Sequence, residues 1–433
     1  MALSASRKGL LAIVGGTGLG QLLGVVSAPV IARFFSPEVF GPFAVVNSLV
    51  FAVSPMAALR YDLAISVPDA DHEARTLASL GLRVAAWVAV VGTAVIWPLR
   101  GILGHLLSLP ESLADLLLWA PLVAGLIGAY TVLNQLAIRK RLYSAIARRN
   151  VLQAAATVAL QIGAGVLGLG AHGLAAALAA GQAIGVLSLA HSLRAELRGT
   201  QTPVTTAERR SVALRYKSFP LLLAPSGVVN SLGLQAPVLL ASSLFGASVA
   251  GWLGMTQRVL GVPVALFGLT LAQVFLGEFG AAKRGRTADL RALFLRTSAR
   301  LAAVGALGAV VLLVAAPLLF EIVFSEQWRR SGVYAQALAV GLMFQMVASP
   351  LSQTIILMRK NHYQAAWDVT RLAVCSGGVF LGYRMGLGDV GTMWVLGLST
   401  AVMYVVLWLL SWAAVRQHLA ASASSSTTAE DVR

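Results

Sequence analysis

Apolar runs recur along almost the whole chain and are separated by short polar segments. A run of about 18 apolar residues or more is long enough for an α-helix to cross the hydrocarbon core of a bilayer. The pattern predicts twelve such helices, approximately at residues 10–34, 41–67, 76–97, 113–138, 151–169, 173–193, 219–245, 249–276, 297–324, 333–358, 365–385 and 391–415. We therefore expect an all-α polytopic membrane protein.

Composition strengthens this interpretation and argues against most enzyme classes. Of the 433 residues, 58% are hydrophobic and 12% charged, and the mean hydropathy is +0.79, well above that of soluble globular proteins. The only cysteine, Cys375, lies in an apolar run, and the six histidines are scattered without metal-ligand spacing. The sequence also lacks a GxxxxGK[ST] phosphate-binding loop. We expect neither a catalytic site, a bound metal nor a cofactor.

Basic residues are distributed unevenly between the two sides of the predicted membrane domain. The net charge is +16, which in a soluble protein would suggest nucleic-acid binding. Of the 33 Lys and Arg residues, however, 23 fall in segments on the N-terminal side of the membrane and five on the opposite side. Positively charged loops remain in the cytoplasm. The distribution predicts an even number of spans with both termini cytoplasmic, and no nucleic-acid partner.

The predicted helices fall into two halves. The longest internal hydrophilic stretch covers residues 194–217. It predicts an N-terminal six-helix lobe at residues 1–199, a cytoplasmic linker at 200–216 and a C-terminal six-helix lobe at 217–416. The Ala/Ser/Thr-rich segment 417–433 has no apolar period and is predicted to be a disordered cytoplasmic tail.

Internal repetition supports the two halves. Ala-Pro-Val at Pro29 recurs at Pro237, and Pro55 recurs at the same offset as Pro263. Because each half has six spans, this repeat is parallel and predicts two pseudo-symmetric bundles. Proline inside a helix removes a backbone hydrogen bond, so spans one, two, seven and eight are expected to bend at these four positions. These bends either form part of a transport gate or have a purely structural role.

Arginine within a membrane span is the clearest candidate for function, because its charge is costly there without water or a partner. Arg258 lies well inside span eight and is expected to face an internal cavity. Arg60 either contacts substrate or pairs with Asp62. Arg83, Arg300 and Arg371 lie nearer to helix ends, where arginine can reach the headgroups.

Polar amides cluster in the same four spans. They are Gln21, Asn47, Asn230, Gln235, Gln257 and Gln273. Each serves either as a hydrogen bond between helices or as a ligand contact. No acidic residue lies deep within a predicted span. A cleft that is cationic and lacks carboxylates suits an anionic substrate such as a phosphate or diphosphate head group.

Several stretches resemble Wzx-type oligosaccharide flippases, which are polysaccharide biosynthesis proteins of the multidrug/oligosaccharidyl-lipid/polysaccharide exporter superfamily. They are APVIARFFSPEVFGPFAVVNS, LRYDLAISVPDADHEA, QLAIRKRLYSAIARRNVLQ, LFGASVAGWLGMTQRVLGVPVALFGLTLAQVF and FSEQWRRSGVYAQALAVGLMFQMVASPLSQTIILMRKN. The resemblance implies a MATE-like fold, with spans one, two, seven and eight around a central cavity. It also implies that Arg258 and Arg60 contact a diphosphate.

The function implied by this resemblance is transport without enzymatic activity. An undecaprenyl-diphosphate-linked oligosaccharide would cross the bacterial inner membrane from the cytoplasmic to the periplasmic leaflet by alternating access. It would feed O-antigen, lipopolysaccharide or other polysaccharide biosynthesis, with membrane lipids, a polysaccharide polymerase and chain-length machinery as partners. Three alternatives remain: a cation-coupled multidrug exporter of the same superfamily, a lipid II flippase, or a non-transporting scaffold of a polysaccharide assembly complex.

Overall fold

The computed structural model describes residues 15–194, 205–263, 279, 290–358 and 360–430, with the backbone alone at residues 361 and 420–430. The described residues form helices and connecting turns, and none of them is in a β-strand. The α-helices, in chain order, are α1 (15–26), α2 (Ala28–Phe34), α3 (Pro37–Val53), α4 (Tyr61–Ala64), α5 (Asp71–Leu106), α6 (Trp119–Arg139), α7 (Tyr143–Val166), α8 (Gly170–Ser192), α9 (Thr206–Arg215), α10 (Ala224–Phe245), α11 (247–263), α12 (Leu290–Phe324), α13 (Arg329–Leu351), α14 (Gln353–Leu357), α15 (Asn361–Arg384) and α16 (Gly388–Glu430). The prediction of an all-α membrane fold is confirmed.

Nine helical segments in the described part of the chain are long and apolar enough to cross a membrane. They are Gly15–Phe34, Pro37–Met56, Asp71–Leu106, Glu111–Arg139, Gly170–Ser192, Phe219–Phe245, Leu290–Phe324, Glu326–Leu357 and Gly388–Leu419. Two further predicted spans correspond to α7 and α15, which are each 24 residues long but more polar. The remaining predicted span, 249–276, is described only as far as residue 263.

Packing divides the described residues into two compact units. The first unit contains the described residues up to Arg258 together with Val323–Trp328. The second contains the described residues of Val259–Ile322 and Arg329–Arg433. This division differs from the predicted boundary at 200–216 because α10 and the start of α11 pack against α3. The two six-helix lobes inferred from the internal repeat stay a prediction.

The first unit brings α3 and α11 together through small residues. A Cβ atom at Gly41 would collide with the carbonyl of Ala247, and one at Gly251 would collide with the carbonyl of Pro37. Glycine at both positions therefore allows the two backbones to approach closely, as in other small-residue helix interfaces. This contact joins the N-terminal parts of α3 and α11, and the two helices carry the polar residues of the site beyond it.

The predicted second span is shorter than its apolar run. Helix α3 ends at Val53 and continues as a 3₁₀ turn, Ser54–Met56, which contains Pro55. Leu59 and Arg60 then adopt left-handed backbone conformations, with φ of 47° and 59°. The chain therefore leaves the helix before the predicted end at residue 67.

The connecting helix α9 begins with a complete capping box. Thr205 Oγ1 accepts a hydrogen bond from the backbone N–H of Glu208, whose carboxylate accepts one from the backbone N–H of Thr205. Hydrogen bonding of the Glu208 carboxylate to the backbone N–H of Thr205, and then to the Thr205 side chain, lowers the pKa of Glu208. Arg215, at the other end of α9, pairs with Glu73 of α5 at 2.8 Å. Part of the polar segment predicted as a linker is thus an ordered helix tied to α5.

The second unit is built on contacts of α13 and α15 with the long final helix α16. Arg330 donates two hydrogen bonds to the carboxylate of Asp389, from Nε to Oδ2 at 2.7 Å and from Nη2 to Oδ1 at 2.6 Å. Helix α16 continues to Glu430, whereas the sequence predicts a disordered tail from residue 417. The tail is rich in alanine, the strongest helix former, so it can extend a helix that begins in a packed segment.

Candidate functional site

Two adjoining polar cavities lie within the first unit. The first, here called the Arg258 cavity, has a volume of about 320 Å³. Its lining consists of Phe40, Phe43, Ala44, Asn47, Ser48, Phe51, Thr157, Gln161, Leu178, Gln235, Gly254, Gln257 and Arg258. Helices α3, α7, α10 and α11 supply nearly all of these residues, so the close contact of α3 with α11 determines one wall.

Among the described residues that line the Arg258 cavity, Arg258 is the only charged one. It lies about three turns into α11, and its Nη2 donates a hydrogen bond to Gln161 Oε1 at 3.2 Å. No carboxylate of a described residue lies within 4 Å of its guanidinium. A neutral amide orients this arginine without cancelling its charge. The cavity therefore presents a net positive charge to whatever enters it.

The second cavity, here called the Arg149 cavity, has a volume of about 350 Å³. Its lining consists of Thr17, Gly20, Gln21, Gly24, Tyr130, Arg149, Asn150, Gln153, Ala154, Thr157, Val158 and Arg258. Thr157 and Arg258 line both cavities, which makes the two cavities neighbours. No acidic residue of the described part of the chain lines either one.

Arg149 is only 4% exposed and is held by three neutral side chains. Its Nη2 donates a hydrogen bond to Gln182 Oε1 at 2.9 Å, and its Nη1 donates one to Asn150 Oδ1 at 3.1 Å. Its guanidinium carbon lies 3.3 Å from the centre of the Tyr130 ring. Gly185 of α8 leaves room for the guanidinium, because a Cβ atom there would lie 2.9 Å from Arg149 Nε. The arginine is thus oriented but, among described residues, not neutralised.

One face of α7 connects the two arginines. Arg149, Gln153, Thr157 and Gln161 follow one another at intervals of four residues, which places them along one face of a helix. Thr157 Oγ1 donates to the backbone carbonyl of Gln153 at 2.8 Å, and Gln153 Nε2 contacts Thr157 Oγ1 at 3.4 Å. The result is a polar path from Arg149 to the amide that holds Arg258.

The structure brings five of the seven predicted substrate-binding residues to these cavities. Asn47, Gln235, Gln257 and Arg258 line the Arg258 cavity. Gln21 lines the Arg149 cavity, where its Oε1 is buried and no described residue gives it a hydrogen bond. The four selected spans thus supply part of each lining, and α7, in the fifth predicted span, supplies much of the rest.

The other two predicted residues, Asn230 and Arg60, lie outside both cavities. Asn230 is on the exposed face of α10. The guanidinium of Arg60 lies against Gly227 of the same helix. Arg60 and Asp62 make no ion-pair contact within 4 Å, although Arg60 still interacts electrostatically with Asp62, which is 5% exposed. The expectation that Arg60 contacts substrate stays a prediction.

The four prolines occupy different structural positions. Pro29 follows a break at Ser27 and begins α2, and Pro55 lies in the 3₁₀ turn after α3. Pro237 remains inside the continuous helix α10, and Pro263 is the last described residue of α11. The first two thus mark interruptions of a helix. Their role in gating stays a prediction.

Arg149 and its neighbours on α7 were missed by the sequence interpretation, which placed Arg149 in a loop after span four. The signal was present in the four-residue spacing of the polar side chains along α7. It was obscured because Arg148 and Arg149 are adjacent, and only one of them faces inward. Arg148 is exposed, whereas Arg149 is buried.

Comparison with known proteins agrees with this architecture. The sequence profile of a family described as polysaccharide biosynthesis protein matches residues 30–333. No curated protein sequence matches the chain.

Among solved structures, the lipid II flippase MurJ in an inward closed conformation is 12% identical, with a TM-score of 0.72 over 92% of this chain and 86% of that one. An inward-facing multidrug resistance MATE transporter of the MOP superfamily is 14% identical, with a TM-score of 0.67 over 96% and 98%. A MOP superfamily transporter from Pyrococcus furiosus, noted for the reverse polarity of its binding pocket, is 15% identical, with a TM-score of 0.59 over 95% and 96%. At these identities the likeness shows a shared MATE-like fold. The match over most of the chain shows that this multi-pass membrane protein belongs to the polysaccharide biosynthesis protein family.

Proposed function

We propose that this protein is a flippase that carries an undecaprenyl-diphosphate-linked oligosaccharide from the cytoplasmic to the periplasmic leaflet of the bacterial inner membrane. Alternating access would move the head group, and the oligosaccharide would enter O-antigen, lipopolysaccharide or another surface polysaccharide. Family membership supports the polysaccharide pathway. The fold shared with transporters supports movement of a substrate rather than an enzymatic reaction.

The observation that carries the proposal is Arg258 in a polar cavity whose described lining has no carboxylate. A charged arginine within a membrane span is costly unless it meets water or an anion. A diphosphate supplies that anion, and a charge-assisted hydrogen bond from arginine contributes about 1.5–3 kcal/mol. Half-buried amides of Asn47, Gln235 and Gln257 line the same cavity and can bond to sugar hydroxyls or phosphate oxygens.

The alternative functions share the fold but fit this cavity less well. A cation-coupled multidrug exporter needs an acidic group for its coupling ion or cationic cargo, and neither described cavity has one. A lipid II flippase handles the same diphosphate chemistry, and the structural likeness to MurJ favours it as the second candidate. A polysaccharide polymerase and chain-length machinery are the proposed partners, because they act on the same lipid-linked sugar.

Transfer between leaflets tests the proposal. Purified protein is reconstituted into liposomes with a fluorescent polyprenyl-diphosphate sugar, and the probe in the outer leaflet is quenched over time. We expect the wild type to transfer the probe and Arg258→Gln to slow the initial rate by roughly ten- to hundredfold, from loss of about 1.5–3 kcal/mol.

Arg83→Gln is the matched control, because Arg83 is an exposed arginine of the spanning helix α5 that lines neither cavity. It should transfer the probe at the wild-type rate. No transfer by folded wild-type protein would refute the flippase and favour a non-transporting scaffold.

A further inference from the structure

The Arg149 cavity contains a second arginine whose charge no described carboxylate neutralises. Buried charges in proteins are normally paired with an opposite charge, because the cost of removing them from water is large. Arg149 is 4% exposed, yet its hydrogen-bond acceptors are the neutral amides of Gln182 and Asn150. Arg149 is thus as buried as an arginine in an ion pair, but no acidic side chain of the described residues is paired with it.

The guanidinium also retains unused capacity for hydrogen bonding. Arginine carries five N–H donors, and two of the Arg149 donors are used in these amide contacts. Its Nε is buried and has no hydrogen-bond partner among the described residues. The Tyr130 ring covers one face of the guanidinium, which fixes its plane. This arrangement favours a cation that is held ready for an anionic ligand.

Gln21 presents the complementary feature in the same cavity. Its Oε1 is a buried acceptor with no partner among the described residues. A bare inorganic anion satisfies the arginine but offers no donor to this carbonyl oxygen. A sugar that carries both an acidic group and hydroxyl groups satisfies Arg149 and Gln21 together. The cavity volume of about 350 Å³ equals the space of roughly ten water molecules at about 30 Å³ each, so a sugar fits.

The spacing along α7 separates this site from the site of the diphosphate. Arg149 and Gln161, which holds Arg258, are twelve positions apart on one helix, a rise of about 18 Å at about 1.5 Å per residue. The two phosphorus atoms of a diphosphate are separated by a single bridging oxygen. This rise is measured along the backbone, and Arg258 lines both cavities, whereas Arg149 lines only the second. A diphosphate held in the Arg258 cavity therefore leaves Arg149 to a different part of the substrate.

We propose that Arg149, oriented by Tyr130 and Gln182, is a second anion-binding site that recognises the acidic group of a charged sugar in the transported oligosaccharide. This inference rests on the proposed function, with the diphosphate at Arg258. It assigns the substrate class as lipid-linked oligosaccharides that contain an acidic sugar. The proposal also accounts for the polar face of α7, because Gln153 and Thr157 lie between the two proposed anion-binding arginines along this helix.

Binding to two matched probes tests this assignment. Both are polyprenyl-diphosphate trisaccharides, and they differ only in whether one sugar is glucuronate or glucose. Affinity is measured with purified full-length protein in detergent. We expect Arg149→Gln to weaken binding of the glucuronate probe by about tenfold or more and to change binding of the glucose probe by less than about twofold. Arg258→Gln should weaken both probes to the same extent.

Two further variants separate recognition from folding. Arg148→Gln removes the same charge from the adjacent, exposed position of α7 and should bind both probes like the wild type. Arg149→Lys keeps the charge and should retain part of the preference for glucuronate even where Arg149→Gln folds poorly. The melting temperatures of Arg149→Lys and Arg149→Gln, compared with that of the wild type, serve as the folding control.

The outcomes distinguish this inference from the proposed function. Equal weakening of both probes by Arg149→Gln assigns Arg149 to the diphosphate or to structure and overturns the inference. If Arg149→Gln binds both probes like the wild type while Arg258→Gln weakens both, the inference is also overturned, but the proposed flippase stands. Failure of folded wild-type protein to bind either probe refutes the proposed function, and the inference with it.

Discussion

The close contact of α3 with α11 should control both stability and transport, and Gly251→Ala tests it. A Cβ atom at residue 251 would approach the carbonyl oxygen of Pro37 more closely than real side chains do, and would lie 3.1 Å from the backbone nitrogen of Gly41. Both obstacles are backbone atoms, which cannot rotate away as a flexible side chain does. The helices must therefore separate.

The expected cost follows from two opposing effects. Overpacking of a close interface costs about 1–3 kcal/mol. Replacing glycine by alanine within a helix gains up to about 1 kcal/mol from helix propensity. Gly261→Ala supplies the matched control, because Gly261 lies on the same helix and no atom of the described part of the chain lies within 4 Å of the position of its Cβ atom. The propensity gain cancels between the variants, so Gly251→Ala should be less stable than Gly261→Ala by about 1–3 kcal/mol.

Thermal unfolding in detergent, followed by tryptophan fluorescence, measures this difference. Gly251→Ala should melt at a lower temperature than Gly261→Ala. It should also slow leaflet transfer, because the two helices carry Asn47, Gln257 and Arg258, which line one cavity. Equal melting temperatures and equal transfer rates for the two variants would refute the packing argument.

Three further predictions concern other contacts. Gln161→Leu should slow transfer by about tenfold through loss of the 3.2 Å hydrogen bond that orients Arg258, while a Gln161→Glu variant, which neutralises the arginine, should slow it further. Hydrogen-exchange protection factors in α9, corrected for the intrinsic exchange rate at each pH, should fall as the pH drops below about 4.5. Hydrogen bonds lower the pKa of Glu208 in the folded helix, and this stabilisation is lost as the carboxylate is protonated; Thr205→Ala, which costs about 1 kcal/mol, should abolish most of that pH dependence. Asp389→Asn should lower the melting temperature by weakening the paired hydrogen bonds from Arg330, at a cost of about 1 kcal/mol because the arginine is half-exposed, and an unchanged melting temperature would show that this pair does not stabilise the second unit.

The helical architecture was readable from the sequence because a membrane imposes long apolar runs, and their spacing is insensitive to tertiary detail. Asn47, Gln235, Gln257 and Arg258 were also identified, since polar residues are rare in such runs and stand out. Their convergence on one cavity depends on the Gly41 and Gly251 contact, which single-sequence patterns do not reveal.

Arg149 and Arg60 show where sequence reasoning reached its limit. Arg149 follows another arginine at the start of a helix, and charge counting treats both as loop residues, although one helical position rotates Arg149 into the bundle. Arg60 appeared to lie inside a span because its flanking residues are apolar, yet its left-handed backbone conformation places it in a turn. Hydrophobicity reports the environment of a segment, whereas the direction of one side chain depends on where its helix begins.

The most direct test of the central claim is whether the protein distinguishes an anionic head group from a neutral one. Initial rates of leaflet transfer are compared for one sugar linked to a polyprenol through a diphosphate or through an uncharged glycosidic bond. A cationic cavity around Arg258 predicts that the wild type transfers the diphosphate probe at least about tenfold faster, and that Arg258→Gln loses most of this preference. Equal rates for the two probes in the wild type would contradict the account.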